Sequence, residues 1–556
     1  MALIYGTARL FDGNWVLDGL PPHACMRFKD VFPKMSRTAK LPYRIKHSPA
    51  SAADLEWFQA RYPLDMQPDD RAAMVAGREE QQRSFAAIEA IMAPGWEPGP
   101  TPGFKDGCEL RPYQGQAVQV CMVRGGLLLG DDLGLGKTWV GCGLMVQPGT
   151  LPCAVVTPVH LQAQWRRVIE AVTSLRVHAV KTTRPYDLPP ADVYLFRYSQ
   201  LRGWFETLRT GFFKSVIFEE AHELRKGTES QKGQAAMALA RSARWRLLLT
   251  ATPVQGYGTE IYQVMQFANE DVLGPVEEFH REWCPLGDEK ARGLGSFLRD
   301  QGVYLRRTKA DVGQQMPPVN TIVETIDWDQ DALDNVADLA RQLALKASRG
   351  SFVERGQATR DLDLMVRHAT GVAKARSVAM FVRLLCEAGE QVVLTGWHRD
   401  VYDVWLKELA AHNPVLYTGT ESPKQKDDAA KAFVAGEAKV LILSLRSGAG
   451  LDGLQFASST VVFGELDWQP GVHEQVIGRL YREGQAKPVT AFYLIAEDGS
   501  DPPMVELLGV KASQAQAITD PLGRPAAATT DEGRMRALIE RYLRPGDADL
   551  LAEAAA

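Results

Sequence analysis

The chain has 556 residues, 45% apolar and 24% charged, with a net charge of −5. That is long enough for two large domains plus accessory parts, and the absence of any run of about 18 apolar residues excludes a membrane-spanning helix. Seven scattered cysteines without a Cys-x-x-Cys pair argue against zinc ribbons and disulfide frameworks, so a reducing cytoplasm is expected. Met1 to Gly19 has no basic start followed by an apolar core, so no secretion signal is expected. An acidic chain repels phosphate weakly, so any nucleic-acid partner must be met by local basic patches.

Residues 1–94 read as a small N-terminal accessory domain that ends in a helical pattern, Arg71 to Met92. Seven basic residues (Arg27, Lys29, Lys34, Arg37, Lys40, Arg44, Lys46) and one acid, Asp30, lie between positions 27 and 46. Phe28, Phe32 and Tyr43 are interleaved with them. Cations with aromatic faces suit nucleic acid, including unpaired bases, with Arg37, Lys40 and Arg44 as contacts. A solvated face of a small folded domain is the alternative. Residues 95–104, rich in proline and glycine, read as a stiff linker.

From 105 to 305, apolar strand-like runs alternate with helical stretches. Leu127–Leu129, Ala154–Thr157, Val193–Phe196, Val216–Phe218 and Leu247–Leu249 are the expected strands. A connector, 306–370, is expected to be mostly helical, with helical spacing over Ala332 to Ser348. A second alternating block, 371–499, has expected strands at Gln391–Thr395, Val415–Tyr417, Val440–Leu443, Thr460–Phe463 and Val489–Ile495. The tail, 500–556, carries one short expected helix, Glu532 to Tyr542. Alternation of this kind predicts an α/β chain with two tandem parallel-sheet lobes.

The first block carries phosphate chemistry. Asp131-Asp-Leu-Gly-Leu-Gly-Lys-Thr138 is a strand–turn–helix phosphate loop that departs from the usual pattern at Asp131. Lys137 is expected on the β- and γ-phosphates of ATP and Thr138 on Mg²⁺, with Asp131, Gly134 and Gly136 shaping the loop. Val216-Ile-Phe-Glu-Glu-Ala-His222 is a strand ending in two carboxylates. Glu219 is expected to hold the Mg²⁺ and Glu220 to position and deprotonate water. Thr250 and Thr252 close another strand, where they are expected to hydrogen-bond the acids and, with His222, to sense the γ-phosphate. In the second block, Gln475-Val-Ile-Gly-Arg-Leu-Tyr-Arg482 sets two arginines on one helical face.

In order and content these motifs resemble the SNF2 family of superfamily 2 helicase-type motors over about 110–496. Leu110-Arg-Pro-Tyr-Gln114 resembles the segment in which the family's glutamine reads adenine. Val155-Val-Thr-Pro158 and Tyr198-Ser-Gln200 resemble its early DNA motifs, and Leu305-Arg-Arg-Thr-Lys309 with Met316-Pro-Pro318 resembles a signature of SNF2 motors. The resemblance implies two RecA-like lobes, with Arg479 and Arg482 as arginine fingers and Gln475 near the γ-phosphate. Asp452, with Gly448 and Gly450, would link nucleotide to DNA. The DNA contacts it implies are Thr157, Ser199, His398 and Arg446, each of which reads equally as a strand-end hydrogen bonder. Phe463-Gly-Glu-Leu-Asp-Trp468 resembles the annealing-helicase branch, although the basic HARP-type module of that branch is not recognisable upstream.

One departure stands out. The family has Asp-Glu where this chain has Glu219-Glu220, and the extra methylene shifts the metal-facing carboxylate outward. Mg²⁺ demands near-ideal octahedra, so slowed hydrolysis is expected. The resemblance thus implies an ATP-dependent translocase on double-stranded or branched DNA that acts as a monomer, cytoplasmic and nucleoid-associated in a bacterium. The alternative is an ATP-gated DNA-binding scaffold that hydrolyses weakly and recruits a partner enzyme.

Overall fold

The structure, a computed structural model, describes residues 3–32, 35–252, 259–284, 288–313, 317–349, 352–445, 451–505 and Tyr542. Lys34, Pro253, Met316, Arg446, Gly448 and Gly450 lie outside the described residues, as does the expected tail helix apart from Tyr542.

The N-terminal unit contains a sheet that the sequence reading did not anticipate. Strands β1 (Thr7–Phe11), β2 (Asn14–Asp18) and β3 (Tyr43–Lys46) pair antiparallel. The β1–β2 turn is Asp12-Gly13, both at positive φ (48° and 68°), the conformation a two-residue hairpin favours. Helices Pro22–Val31, Pro49–Arg61 and Pro68–Met92 each open on proline, whose missing N–H is no loss in a first turn. They cover a core built around Trp15, Phe28, Tyr43 and Phe58.

The first lobe is a seven-stranded sheet made of β4 (Gly126–Leu129), β5 (Cys153–Thr157), β6 (Val177–Ala179), β7 (Val193–Arg197), β8 (Ser215–Glu219), β9 (Trp245–Leu249) and β10 (Tyr304–Leu305). Their spatial order is β10-β4-β9-β8-β5-β7-β6, all parallel. β4, β5 and β8 are buried along their whole length, which explains why they read as unbroken apolar runs.

The second lobe is a six-stranded parallel sheet. It contains β11 (Val319–Thr325), β12 (Val392–Gly396), β13 (Val415–Tyr417), β14 (Val440–Ser444), β15 (Thr460–Phe463) and β16 (Val489–Ile495), in the order β11-β16-β15-β12-β14-β13. β11 belongs to the stretch expected to be mostly helical. It is an edge strand exposed along most of its length, so its sequence, Val-Asn-Thr-Ile-Val-Glu-Thr, lacks the apolar run of a buried strand. Two helices, Gln330–Arg349 and Phe352–Glu387, pack on each other after it. The chain is thus α/β: two parallel-sheet lobes behind a small antiparallel N-terminal unit.

Candidate nucleotide-binding site

Three loops converge because three neighbouring strands end at one edge. The phosphate loop follows β4, Thr250–Thr252 follow β9, and Glu219 ends β8; these strands lie side by side and parallel. Open α/β sheets bind ligands beyond that carboxyl edge.

Lys137 and Thr138 open the helix Lys137–Met145, with Gly136 as its N-cap at φ 75°. A Cβ on Gly136 would stand 2.5 Å from Gln114 Nε2, so both conformation and space call for glycine. Lys137 Nζ donates to the carbonyls of Asp131 at 2.5 Å and Asp132 at 3.2 Å. Burial pushes its pKa down, against the pull of Asp131, Glu219 and Glu220.

Asp131 does not turn its carboxylate to a nucleotide. Arg307 holds both its oxygens, Nε at 3.0 Å and Nη2 at 2.6 Å. Its contribution to the loop is its carbonyl. Gln114 is nearly buried, with Nε2 donating to the Leu135 carbonyl at 3.0 Å and Oε1 accepting from Arg111 N. An amide has four hydrogen-bonding sites, and these two bonds use one N–H and one lone pair.

The two acids sit in different electrostatic settings. Burial, then the neighbouring Glu220, pushes Glu219 up to about 8. Burial also pushes Glu220 up, but His222, Lys137 and Arg479 pull it further down, leaving it below the usual carboxylate range. Two carboxyls this close favour sharing a single negative charge, and the surroundings direct it toward Glu220. Glu220 Oε2 lies 3.3 Å from His222 Nδ1, near enough for charge pairing but not aligned as a hydrogen bond. Glu220 adopts φ 52°, a left-handed conformation that costs on the order of 1 kcal/mol in a non-glycine residue and often marks a functional turn.

Thr250 and Thr252 do not hydrogen-bond the acids directly. Thr250 Oγ1 lies 3.3 Å from His222 Nδ1 and accepts from Thr252 N at 3.1 Å. A line of contacts thus runs from Glu220 through His222 and Thr250 to Thr252, which abuts Gly471 of the second lobe.

The second lobe presents the helix Pro470–Leu480 across these loops. A Cβ on Gly471 would lie 2.9 Å from Thr252 Cγ2, and one on Gly478 would lie 2.4 Å from Leu133 Cδ1. Arg479 is buried; desolvation, then Arg482, lowers its pKa to about 10, while Glu220 pulls it back up. Its charge in turn lowers the pKa of both Glu219 and Glu220. Arg482 donates to Asp452 Oδ1 at 3.1 Å, and a Cβ on Gly134 would lie 3.7 Å from its Cγ. Asp452 therefore meets Arg482, and its other bond is to Gly453 N. Gln475 is half-buried on the same helix.

The expected DNA contacts fare unevenly. Thr157 is fully buried at the end of β5, so it does not face a phosphate in this conformation. Ser199 is exposed. His398 is the N-cap residue of the helix Arg399–Glu408, its Nδ1 at 2.6 Å from Glu465 Oε1. In the basic cluster, Arg37, Lys40 and Arg44 are exposed, but Phe28, Phe32 and Tyr43 are core residues, with Phe28 and Tyr43 stacked at 5.3 Å. They offer no faces to unpaired bases; their interleaving reflects strand and helix periodicity. Arg37 pairs with Asp30 at 3.3 Å, and Lys29 binds the carbonyls of Arg37 and Ala39.

Sequence reading singled out Leu305–Lys309 without giving its side chains roles. Arg306 binds the Gly130 carbonyl at 2.8 Å and Asp132 at 2.9 Å, Arg307 binds Asp131, and Lys309 binds the Tyr481 carbonyl. Three cations in four residues were the available signal; their partners lie some 170 residues away.

A family model described as "SNF2-related domain" matches residues 55–348, more than half of the chain. The SWI/SNF-related matrix-associated actin-dependent regulator of chromatin subfamily A-like protein 1 of Xenopus tropicalis is 27% identical over 416 residues, covering 71% of this chain and 43% of that protein. The Bos taurus protein named DNA annealing helicase and endonuclease ZRANB3 is 25% identical over 466 residues, covering 76% and 42%. The chain thus spans less than half the length of either relative. A solved Sulfolobus solfataricus SWI2/SNF2 ATPase core in complex with dsDNA aligns at 19% identity and a TM-score of 0.39, covering 78% of this chain and 100% of that one. The arginine helix packs on Leu133 of the phosphate loop and on Thr252, in the loop next to the paired acids, and the match covers those loops: the chain belongs to the SNF2-related family of helicase-like ATPases.

Proposed function

We propose that the chain is an ATP-driven double-stranded DNA translocase that remodels forks, junctions or protein–DNA complexes. The observation that carries this reading is Arg479. It lies buried on a second-lobe helix whose Gly471 and Gly478 pack against Thr252 and Leu133 of the first lobe, close enough for its charge to act on the acids that end β8. A site assembled from two lobes links hydrolysis to their relative movement.

In this reading the phosphate loop and Lys137 bind the β- and γ-phosphates, and the helix N-terminus at Lys137 adds backbone N–H donors. Glu220, ionised and held by His222, orients water and takes its proton. Arg479 and Arg482 stabilise charge on the transferred phosphoryl group, a contribution worth about 10³- to 10⁵-fold. Gln475 stands beside them, and Gln114 reads the base. Mg²⁺ fits the donor set: Glu219 Oε2 and Glu220 Oε2 are buried without hydrogen bonds, and a dication favours the ionised form of Glu219. Among the described residues no three His, Cys, Asp or Glu side chains form a metal cluster, so Glu219 and Thr138 would share the ion with phosphate and water. Mg²⁺ held there would supply positive charge against the phosphates.

DNA as the track follows the annealing-helicase relatives and the exposed cations. Ser199, His398, Arg37, Lys40 and Arg44 are the contacts proposed, by backbone binding that carries affinity rather than sequence. One observation favours the scaffold reading instead: Glu219 is longer than the family's aspartate, and its burial beside Glu220 raises the cost of ionising it for Mg²⁺, which slows turnover. Steady-state ATP hydrolysis with no DNA, single strand, duplex and fork separates the two. Stimulation by duplex or fork, lost in Lys137→Ala with DNA binding kept, supports the translocase. ATP binding without turnover on any DNA refutes it and leaves the scaffold.

A further inference from the structure

The turn that follows the arginine helix, Tyr481–Glu483, is held from the first lobe at both ends. At one end the Lys309 ammonium donates to the Tyr481 carbonyl and stands 3.6 Å from the centroid of the Tyr481 ring. Carbonyls at a helix C-terminus have no donor within their own helix, and a cation there also meets the negative end of the helix dipole. Lys309 is buried, so this contact is shielded from water. The same short segment carries Arg306 and Arg307, which hold Asp132 and Asp131 at the root of the phosphate loop. Four residues of chain, 306–309, therefore tie the phosphate loop to the end of the arginine helix.

At the other end, Arg111 Nη2 lies 3.0 Å from both carboxylate oxygens of Glu483. Arg111 is the N-cap of the helix Pro112–Arg124 and donates its backbone N–H to Gln114. Between the two grips stands Arg482, packed over Gly134, with Arg479 one turn earlier.

We propose that Lys309 and Arg111 are positioning residues that fasten the Tyr481–Glu483 turn to the first lobe and so aim Arg479 and Arg482 at the phosphate loop, a role that presupposes that the chain hydrolyses ATP. Neither touches the reacting atoms; both act through the two arginines. A solvent-exposed pair is weak, so Arg111–Glu483 is the lesser grip and Lys309 the greater. Because Arg111 is also bound by Gln114, the base-reading glutamine and the arginines share one connection.

The test is steady-state kinetics of the full chain with ATP, Mg²⁺ and duplex DNA. Lys309→Met is expected to lower kcat by roughly 10-fold or more with the ATP KM within about 3-fold, because the lost interaction acts in the transition state. Lys309→Arg, which keeps charge and donors, recovers at least half of the activity. Arg111→Glu and Glu483→Arg each lower kcat about 3-fold, and the double charge swap recovers it, as expected for coupled neighbours. Wild-type kcat in Lys309→Met, or simple additivity in the charge swap, overturns the proposal. If Lys309→Met fails to fold in a thermal scan, the charge swap decides. Absence of turnover in the wild-type chain overturns the ATPase reading instead, before any variant is compared.

Discussion

Gly478 offers a way to lift the arginine helix without touching a charged group. A Cβ there would stand 2.4 Å from Leu133 Cδ1 and 3.1 Å from Leu133 Cβ. Carbon atoms rest at about 3.5–4.0 Å, so Gly478→Ala displaces the helix by roughly 1 Å from the phosphate loop. A misplacement of about 1 Å near a reacting centre costs on the order of 100-fold in rate. Alanine is a better helix former than glycine by about 1 kcal/mol, so the helix itself does not weaken. The expected outcome is a fall in kcat of roughly 30- to 100-fold, with ATP affinity and the unfolding midpoint unchanged. DNA-stimulated ATP hydrolysis, equilibrium nucleotide binding and a thermal scan read the three quantities. Adding Leu133→Ala removes the closest atoms and is expected to recover most of the rate. Wild-type kcat in Gly478→Ala, or no recovery in the double variant, refutes contact-driven alignment of the arginine helix.

Burial lowers the pKa of His473 to about 4. Between pH 6.5 and 4 the unfolded chain binds a proton that the native chain refuses. Stability is therefore lost as pH falls through that window, by about 3 kcal/mol, and denaturant midpoints against pH should lose this slope in His473→Phe. Lys374 and Asp501 form a buried pair at 2.6 Å. Lys374→Met strands the carboxylate and is expected to cost about 3–5 kcal/mol; a change below 1 kcal/mol, roughly an exposed pair's worth, contradicts it. Neutralising Lys40 and Arg44 should flatten the salt slope of DNA binding by up to about 1.8 units, since each contact contributes about 0.9. Adding Arg37 extends this by less than a full contact, because Asp30 already holds it. An unchanged slope returns the cluster to a solvated face.

The sequence alone carried the lobes and the chemistry of the first motif set. Buried parallel strands such as Val155–Thr157 or Leu247–Leu249 are unbroken apolar runs, and the groups that follow them (Lys137, Glu219, Glu220) are short-range signals of residue type and spacing. Features that face solvent or pair at a distance were illegible. The edge strand β11 is half polar, and the N-terminal sheet hides in short alternating stretches. The same alternation made Phe28 and Tyr43 look like binding faces when they are core.

Partnership across the chain was decided by tertiary structure. Asp131 sits in the phosphate loop by sequence, but folding gives its carboxylate to Arg307, 176 residues on. Thr157 is a strand-end hydroxyl by sequence, and packing buries it. Glu219 and Glu220 are adjacent and identical in type; burial and its neighbour Glu220 push Glu219 up, while His222 beside it and Lys137 and Arg479, brought in by other elements, hold Glu220 down. Local residue types fix what a segment can do, while electrostatics and packing act through space between groups that chain order leaves far apart.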